Sequence, residues 1–216
     1  MKKTLAIGVG AILAASTLLA VPASAAPSRN QSFVDVNDDG KYTRGVDEVF
    51  KPTRRHQSNV QFTGEYMGQT FGFVRGGHDL YINSDISAPN LVLVNRGGDM
   101  HIGEGVSLNL TGQYFAVATT SADGNSDDGA LVFHEGSSLS HTFSLRGNSQ
   151  AQIQAGDLWI GDDVNIVSEA NSSRRTRSAA STTVRARFLV RGADSLEIAE
   201  SATISAPDSE LEIVGP

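Results

Sequence analysis

The sequence predicts an all-β protein whose short parallel strands stack into a solenoid, a parallel β-helix with turns of about 20 residues. Three observations carry this expectation. Apolar residues alternate over short runs, as in Leu80-x-Ile82 and Val106-x-Leu108-x-Leu110, which is the period of a strand and not of a helix. One phrase recurs along the chain: an apolar strand, an Arg-Gly or Gly-containing corner, then Asp-Leu-x-Ile. The 216 residues include 22 Gly and no Cys, so corners are abundant and no disulfide scaffold exists.

The chain opens with an address. Met1-Lys2-Lys3-Thr4 is a short cationic start, an apolar run follows from Leu5 to Val21, and Pro22-Ala23-Ser24-Ala25 forms a small-x-small cleavage pattern before Ala26. Residues 1–25 therefore read as a signal peptide and not as a membrane span, since the run is short and Gly-interrupted. The expected mature protein is secreted, without a membrane span. Losing Lys2 and Lys3 with the leader takes the formal charge from −7 to −9. That sum excludes general nucleic-acid binding, because nothing in it favours a phosphate backbone.

Residues 26–63 read as a separate N-terminal segment, a calcium-loop module or cap. Asp35-Val36-Asn37-Asp38-Asp39-Gly40 has the pattern D-x-N-x-D-G. Calcium needs six to eight hard oxygens, and Asp35, Asn37 and Asp39 at positions one, three and five supply three of them. Gly40 permits the sharp turn, Lys41 stands where such loops use a main-chain carbonyl, and Tyr42 holds the hydrophobic eighth position. The segment resembles the DxDxDG calcium loops of EF-hand and dockerin-type modules over about a dozen residues. It departs from them at position twelve, which is Val46, so Asp47 or Glu48 must close the site. Without metal, the same residues make an Asx-rich turn. A helical turn is expected only over Gly45–Phe50.

The repeat domain is expected over residues 64–216. Phe71–Ile82, Leu91–Ile102 and Phe188–Ile198 are its clearest copies. Phe143-Ser144-Leu145-Arg146-Gly147, Ala155–Ile160 and Leu211–Gly215 are weaker ones. Asp79 to Asp99 spans 20 residues, Asp99 to Asp157 spans 58, and Leu158 to Leu196 spans 38. These intervals suggest one, three and two turns. Stacked turns of this kind bury a shared core that no single turn can bury. An antiparallel β-sandwich also shows short strands between regular corners and stays open as the alternative. In a solenoid, Arg75, Arg96, Arg146 and Arg191 would align on one edge near Asp79, Asp99 and Asp194, a polar ladder that sets register.

Chemistry is sparse. G-x-S-x-G, G-x-x-x-x-G-K-[ST] and H-E-x-x-H are all absent, and His141 lies too far from His134-Glu135 to share a helical face. Alternation places His101 outward, in solvent. Asp123, Asn125 and Asp127 repeat the one-three-five spacing without Gly at six, the pattern of a solvated loop tip. Arg174, Arg175, Arg177, Arg185 and Arg187 interrupt the repeat within a Ser/Thr-rich stretch, a loop that could dock an acidic polysaccharide or cell-surface partner. Thr119-Thr120 and Thr182-Thr183 are too isolated to form an ice-binding ladder.

In repeat style the chain resembles secreted bacterial β-helix adhesins and matrix proteins. The resemblance implies a non-enzymatic structural or adhesive role; Ca2+ is expected from the Asp35–Gly40 loop, and the unpaired strand edges of an open solenoid end are expected to invite self-association into a fibre or multimer. The alternative is a carbohydrate-binding or small polysaccharide-active protein on the same scaffold. It predicts a cleft with clustered acids, aromatics or basic residues, and rings of Trp159, Tyr66, Tyr81 and Tyr114 on one face would favour it.

Overall fold

The computed structural model describes residues 31–216 except 53, 59, 146 and 172–185. The signal-peptide reading, Arg146 and most of the Arg174–Arg187 stretch lie outside the described residues. Those described are all-β with no helix, arranged as a curled mixed sheet of thirteen strands and a parallel sheet of five.

The N-terminal segment is antiparallel. Strand β1 (Phe33–Asp35) pairs with β2 (Glu48–Val49), and β3 (His56–Gln57) pairs with β4 (Gln61–Tyr66). The helical turn expected over Gly45–Phe50 does not form. The amides of Val46 and Asp47 both donate to the Thr43 carbonyl, and this turn feeds directly into β2.

Three parallel rows follow. The first holds β5 (Gln69–Val74), β8 (Leu91–Arg96), β11 (Tyr114–Thr120), the front of β14 (Ser149–Ile160), the front of β16 (Ala186–Ile198) and β18 (Glu210–Val214). The second holds β6 (Asp79–Ile82), β9 (Met100–Ile102), β12 (Ala130–Phe133) and the rear halves of β14 and β16. The third is the separate sheet of β7 (Ile86–Pro89), β10 (Ser107–Thr111), β13 (Ser138–Phe143), β15 (Asn165–Ala170) and β17 (Thr203–Ser205). The N-terminal strands join these rows: β4 pairs with β5 and β1 with β6, both antiparallel. All neighbours within a row are parallel, so an antiparallel sandwich is not what forms.

Alternation dictates which side chains turn inward. Leu91 and Leu93, Phe115 and Val117, Ala151 and Ile153, and Phe188 and Val190 follow one another along the first row, all buried. Leu80 and Ile82, Met100 and Ile102, Leu131 and Phe133, and Leu158 and Ile160 do the same along the second. With Leu108, Leu110, Leu139 and Ile166 of the third row they form one apolar cluster. Each strand's buried face is completed by the strand before and after it, the economy expected of stacked repeats. The succession thins at β18, where Leu211 and Ile213 are exposed.

The interval arithmetic is corrected by the register. Leu158 pairs directly with Leu196, so 38 residues is one step, with residues 172–185 inside it. Asp99 to Asp157 is two steps, through Ala130. Step lengths vary because extra residues leave at corners, where length is weakly constrained. Phe143 closes β13 in the third row, so the Phe143–Gly147 copy does not align with the others. Arg191 pairs with Gln154 and makes an ion pair with Asp127 at 3.4 Å, whereas Arg75 donates to the Ser58 carbonyl. Arg75 and Arg96 each follow one of the paired residues Val74 and Asn95, but Arg191 lies two residues earlier in the register, so Arg75, Arg96 and Arg191 do not form one continuous ladder.

Candidate functional site

The conspicuous chemistry lies where β1 meets β6. Asp35 ends β1 and is fully buried; its carboxylate accepts the amides of Asp39 (3.3 Å) and Gly40 (2.6 Å). Asp47 is also buried and accepts the amides of Val36 (3.0 Å) and Thr43 (2.5 Å). Asp39 is exposed, accepting the Lys41 amide through Oδ1 and the Asn37 amide group through Oδ2. Asp38 and Gly40 adopt left-handed φ values of 55° and 73°, which close the turn tightly.

Of the six residues read as metal ligands, the fold brings Asp35, Asp39 and Asp47 together, with carboxylate oxygens within 4.8 Å of one another. Asn37 stands beside them, bonded to Asp39, and Lys41 places its amide, not an ammonium group, on the cluster. Glu48 does not join them. Its carboxylate accepts the Ser58 hydroxyl and the Gln61 amide group, because strand alternation turns it away from its neighbour Asp47. The carboxylate oxygens that accept one amide each keep a second lone pair for a cation, so the donor set suits a hard ion such as calcium.

Beside this loop stand further acids. Asp35 pairs in register with Asp79. Asp79 Oδ1 accepts the Asp99 amide at 2.9 Å, and Asp99 Oδ1 accepts the Ala130 amide at 2.7 Å. Asp79 and Asp99 thus hold the backbone of the next strand, while Asp157 at the same place in a later phrase accepts the Ser195 hydroxyl. Burial pushes the Asp79 carboxyl up, reinforced by Asp99, Asp38 and Asp35 and opposed by the Asp99 amide.

Three x positions of the same phrase, Tyr81, His101 and Trp159, form an aromatic row together with Phe33 and His134. Phe33 stacks on Tyr81 at 4.9 Å, Tyr81 on His101 at 4.6 Å, His101 on His134 at 5.5 Å, and His134 meets Trp159 edge-on at 6.1 Å. His101 faces outward as alternation requires, yet it is half-buried, because Tyr81 stacks on its ring and His134 Nε2 engages its Nδ1 at 3.3 Å. Burial and the neighbouring His134 push its pKa down to about 4. Burial lowers His134 as well, and raises the Tyr81 phenol to about 12 with help from Asp79 and Asp35. Sequence reasoning missed this row, although Tyr81, His101 and Trp159 occupy one column of the repeat.

The other singled-out residues have structural partners. Asp123 takes hydrogen bonds from Ser121 and Asn125, which hold it down to about 2, while Asp127 is drawn off to Arg191. They are not among the clusters able to hold a metal in the described residues. His141 is buried between Ser168 Oγ (2.9 Å) and the Gly112 carbonyl (3.1 Å). His78 lies 3.9 Å from Asp38.

Aromatic side chains also line a cleft of about 320 Å³ on the β4–β5 hairpin, formed by Phe62, Tyr66, Phe71 and Phe73 with Arg55 and Glu65 at its polar edge. Tyr66 is exposed there, but Tyr81 is buried in the other row. Tyr66, Tyr81, Tyr114 and Trp159 therefore do not share one face. No protein-family model, no curated protein and no solved structure matches the chain.

Proposed function

We propose that this is an exported, non-enzymatic structural or adhesive protein, a β-solenoid whose N-terminal loop binds calcium. The observation that carries the reading is the use of the acids. Asp35, Asp47, Asp79, Asp85 and Asp99 each accept a backbone amide; they serve register and turn geometry rather than a reactive cleft. Three parallel rows around a shared apolar interior are what a three-sided solenoid requires. Residues 31–66 lay antiparallel strands on its first turn, in the position of a cap. Calcium bound by Asp35, Asn37, Asp39, Asp47 and the Lys41 carbonyl would staple β1 to the turn before β2.

Self-association belongs to the same reading. Among the described residues strand β18 pairs with β16 alone, and Leu211 and Ile213 continue the inward row while exposed. Such an edge accepts a further strand. Calcium titration by calorimetry, with light scattering on the same samples, tests the proposal. One site lost in Asp39→Asn, with particle growth on calcium addition, is the expected result. Absence of calcium binding, or binding unchanged in Asp39→Asn, overturns the metal assignment. A monodisperse monomer at high concentration in calcium overturns the assembly.

The β4–β5 cleft favours a second reading, carbohydrate binding, because exposed rings beside Arg55 and Glu65 suit a sugar's apolar face and hydroxyl rim. Saturable saccharide binding abolished by Tyr66→Ala would establish it.

A further inference from the structure

We propose that copies of this chain join head to tail, the acidic end that carries β18 in one copy docking on β3 and the basic residues Lys51, Arg54 and Arg55 of the next. The inference rests on the self-association and calcium binding proposed above and names the surface that meets the open edge.

The two ends of the solenoid differ in closure. At the first, Val34 of β1 and Phe50, just after β2, are buried in the shared apolar cluster. At the last, Leu196 and Ile204 are only partly buried, and Ile198, Leu211 and Ile213 are exposed. Backbone direction suits the two edges to each other. Strand β3 is antiparallel to β4, and β4 to β5, so β3 runs parallel to the whole first row, β18 included. A following copy therefore continues that row as a parallel ladder, with its β3 beside β18.

Charge selects this arrangement over a tail-to-tail one. Residues 192–216 hold six acids and no lysine or arginine, a sum of −6, and Glu197, Glu200 and Glu210 are exposed. Two such ends repel each other. At the opposite end, Lys51, Arg54 and Arg55 are exposed, and none is in an ion pair among the described residues. The Thr63 hydroxyl donates to the Arg54 carbonyl at 2.5 Å, which fixes Arg54 against β4. Residues 35–55 hold five acids and five bases, a sum of zero that a calcium ion in the loop raises to +2. The aliphatic stems of Lys51, Arg54 and Arg55 suit Leu211 and Ile213, while their charged heads suit the acids around them. A contact between two unlike surfaces does not close on itself, so it propagates as a filament.

The chain lacks cysteine, so polarity can be read by crosslinking in saturating Ca2+. Proteins carrying Gln57→Cys alone and Glu210→Cys alone, mixed under mild oxidation, should form the mixed disulfide. Glu210→Cys alone should form no disulfide dimer, and a chain carrying both substitutions should form a ladder of multimers. Light scattering tests the charges: Arg54→Glu/Arg55→Glu should raise the concentration at which particles grow by more than about 10-fold. Adding Glu197→Lys/Glu210→Lys to the same chain should restore growth. Unchanged melting temperature confirms that each variant is folded. Growth indifferent to the charge reversals, or Glu210→Cys homodimers in place of the mixed disulfide, overturns the head-to-tail contact and leaves self-association standing. Wild type that stays monomeric overturns both.

Discussion

Substituting Gly98 with alanine probes the contact between β6 and β9 that carries the Asp79–Asp99 hydrogen bond. A Cβ at Gly98 falls on the backbone of the preceding strand, 2.5 Å from the carbonyl carbon of His78 and 3.1 Å from the Asp79 nitrogen. Backbone cannot rotate away as a side-chain end can, so the strands must part at this corner. The His78 carbonyl also accepts Asn95 Nδ2 at 3.0 Å, and the Asp99 amide donates to Asp79 across the same gap. Losing two hydrogen bonds costs about 1 kcal/mol each, and overpacking adds about 1–3 kcal/mol. Together these give about 3–5 kcal/mol. For a protein of this size that lowers Tm by roughly 6–20 °C. Gly105→Ala is the control: its φ is +67° and nothing lies within 4 Å of an added Cβ, so only left-handed strain of about 1–2 kcal/mol applies. Thermal unfolding in chelator measures both. A Gly98→Ala protein that melts with wild type, or no lower than Gly105→Ala, would refute the stacking of these strands.

Three further outcomes follow from the same structure. Leu158→Ala removes a buried side chain between Leu131 and Leu196 and should cost about 2–5 kcal/mol in denaturant unfolding, whereas Leu211→Ala, at an exposed position, should cost under about 1.5 kcal/mol. Asp35→Ala strands the Asp39 and Gly40 amides and should destabilise the protein by about 1–3 kcal/mol or more even in chelator; an unchanged midpoint would show that the loop is not ordered by Asp35. The third outcome concerns pH. With a folded pKa near 4 against 6.5 unfolded, His101 takes up its proton more readily in the unfolded chain. Stability is therefore full above about pH 6.5 and declines as pH falls toward 4, by about 3 kcal/mol in all. His101→Gln in chelator should flatten that part of the wild-type curve; identical slopes would contradict the buried, neutral ring.

Much of this was legible in the sequence because strand alternation is a local signal. Leu80-x-Ile82, Leu91-x-Leu93 and Val106-x-Leu108-x-Leu110 all turn their apolar side chains inward, and Asp79 and Asp99 set register as a polar corner ladder should. The lengths of the steps were not legible. A corner that carries Ser121–Gly129 outward leaves the rows on either side unchanged, so insertions break the apparent period without breaking the ladder. For the same reason Phe143, apolar and followed by Arg-Gly, imitates a first-row strand while closing a third-row one. In the loop, spacing alone could not choose between Asp47 and Glu48, since that depends on which side of β2 each faces. The aromatic row is not legible from His101 alone: Tyr81 and Trp159 come from other strands of its column, and His134 lies two residues beyond Val132, the register partner of His101.

The most direct test of the stacked architecture is a distance across the first row. Val92, Ala116, Gln152, Leu189 and Glu212 are successive register partners, four steps of about 4.8 Å, or about 19 Å between the end Cα atoms. The chain lacks cysteine, so Val92→Cys/Glu212→Cys accepts a single pair of spin labels. Pulsed dipolar spectroscopy should report a narrow distribution centred near this separation, widened only by the label linkers. A mean near 29 Å, the six steps that equal turns of about 20 residues would require, or a broad distribution without a maximum, would contradict the ladder.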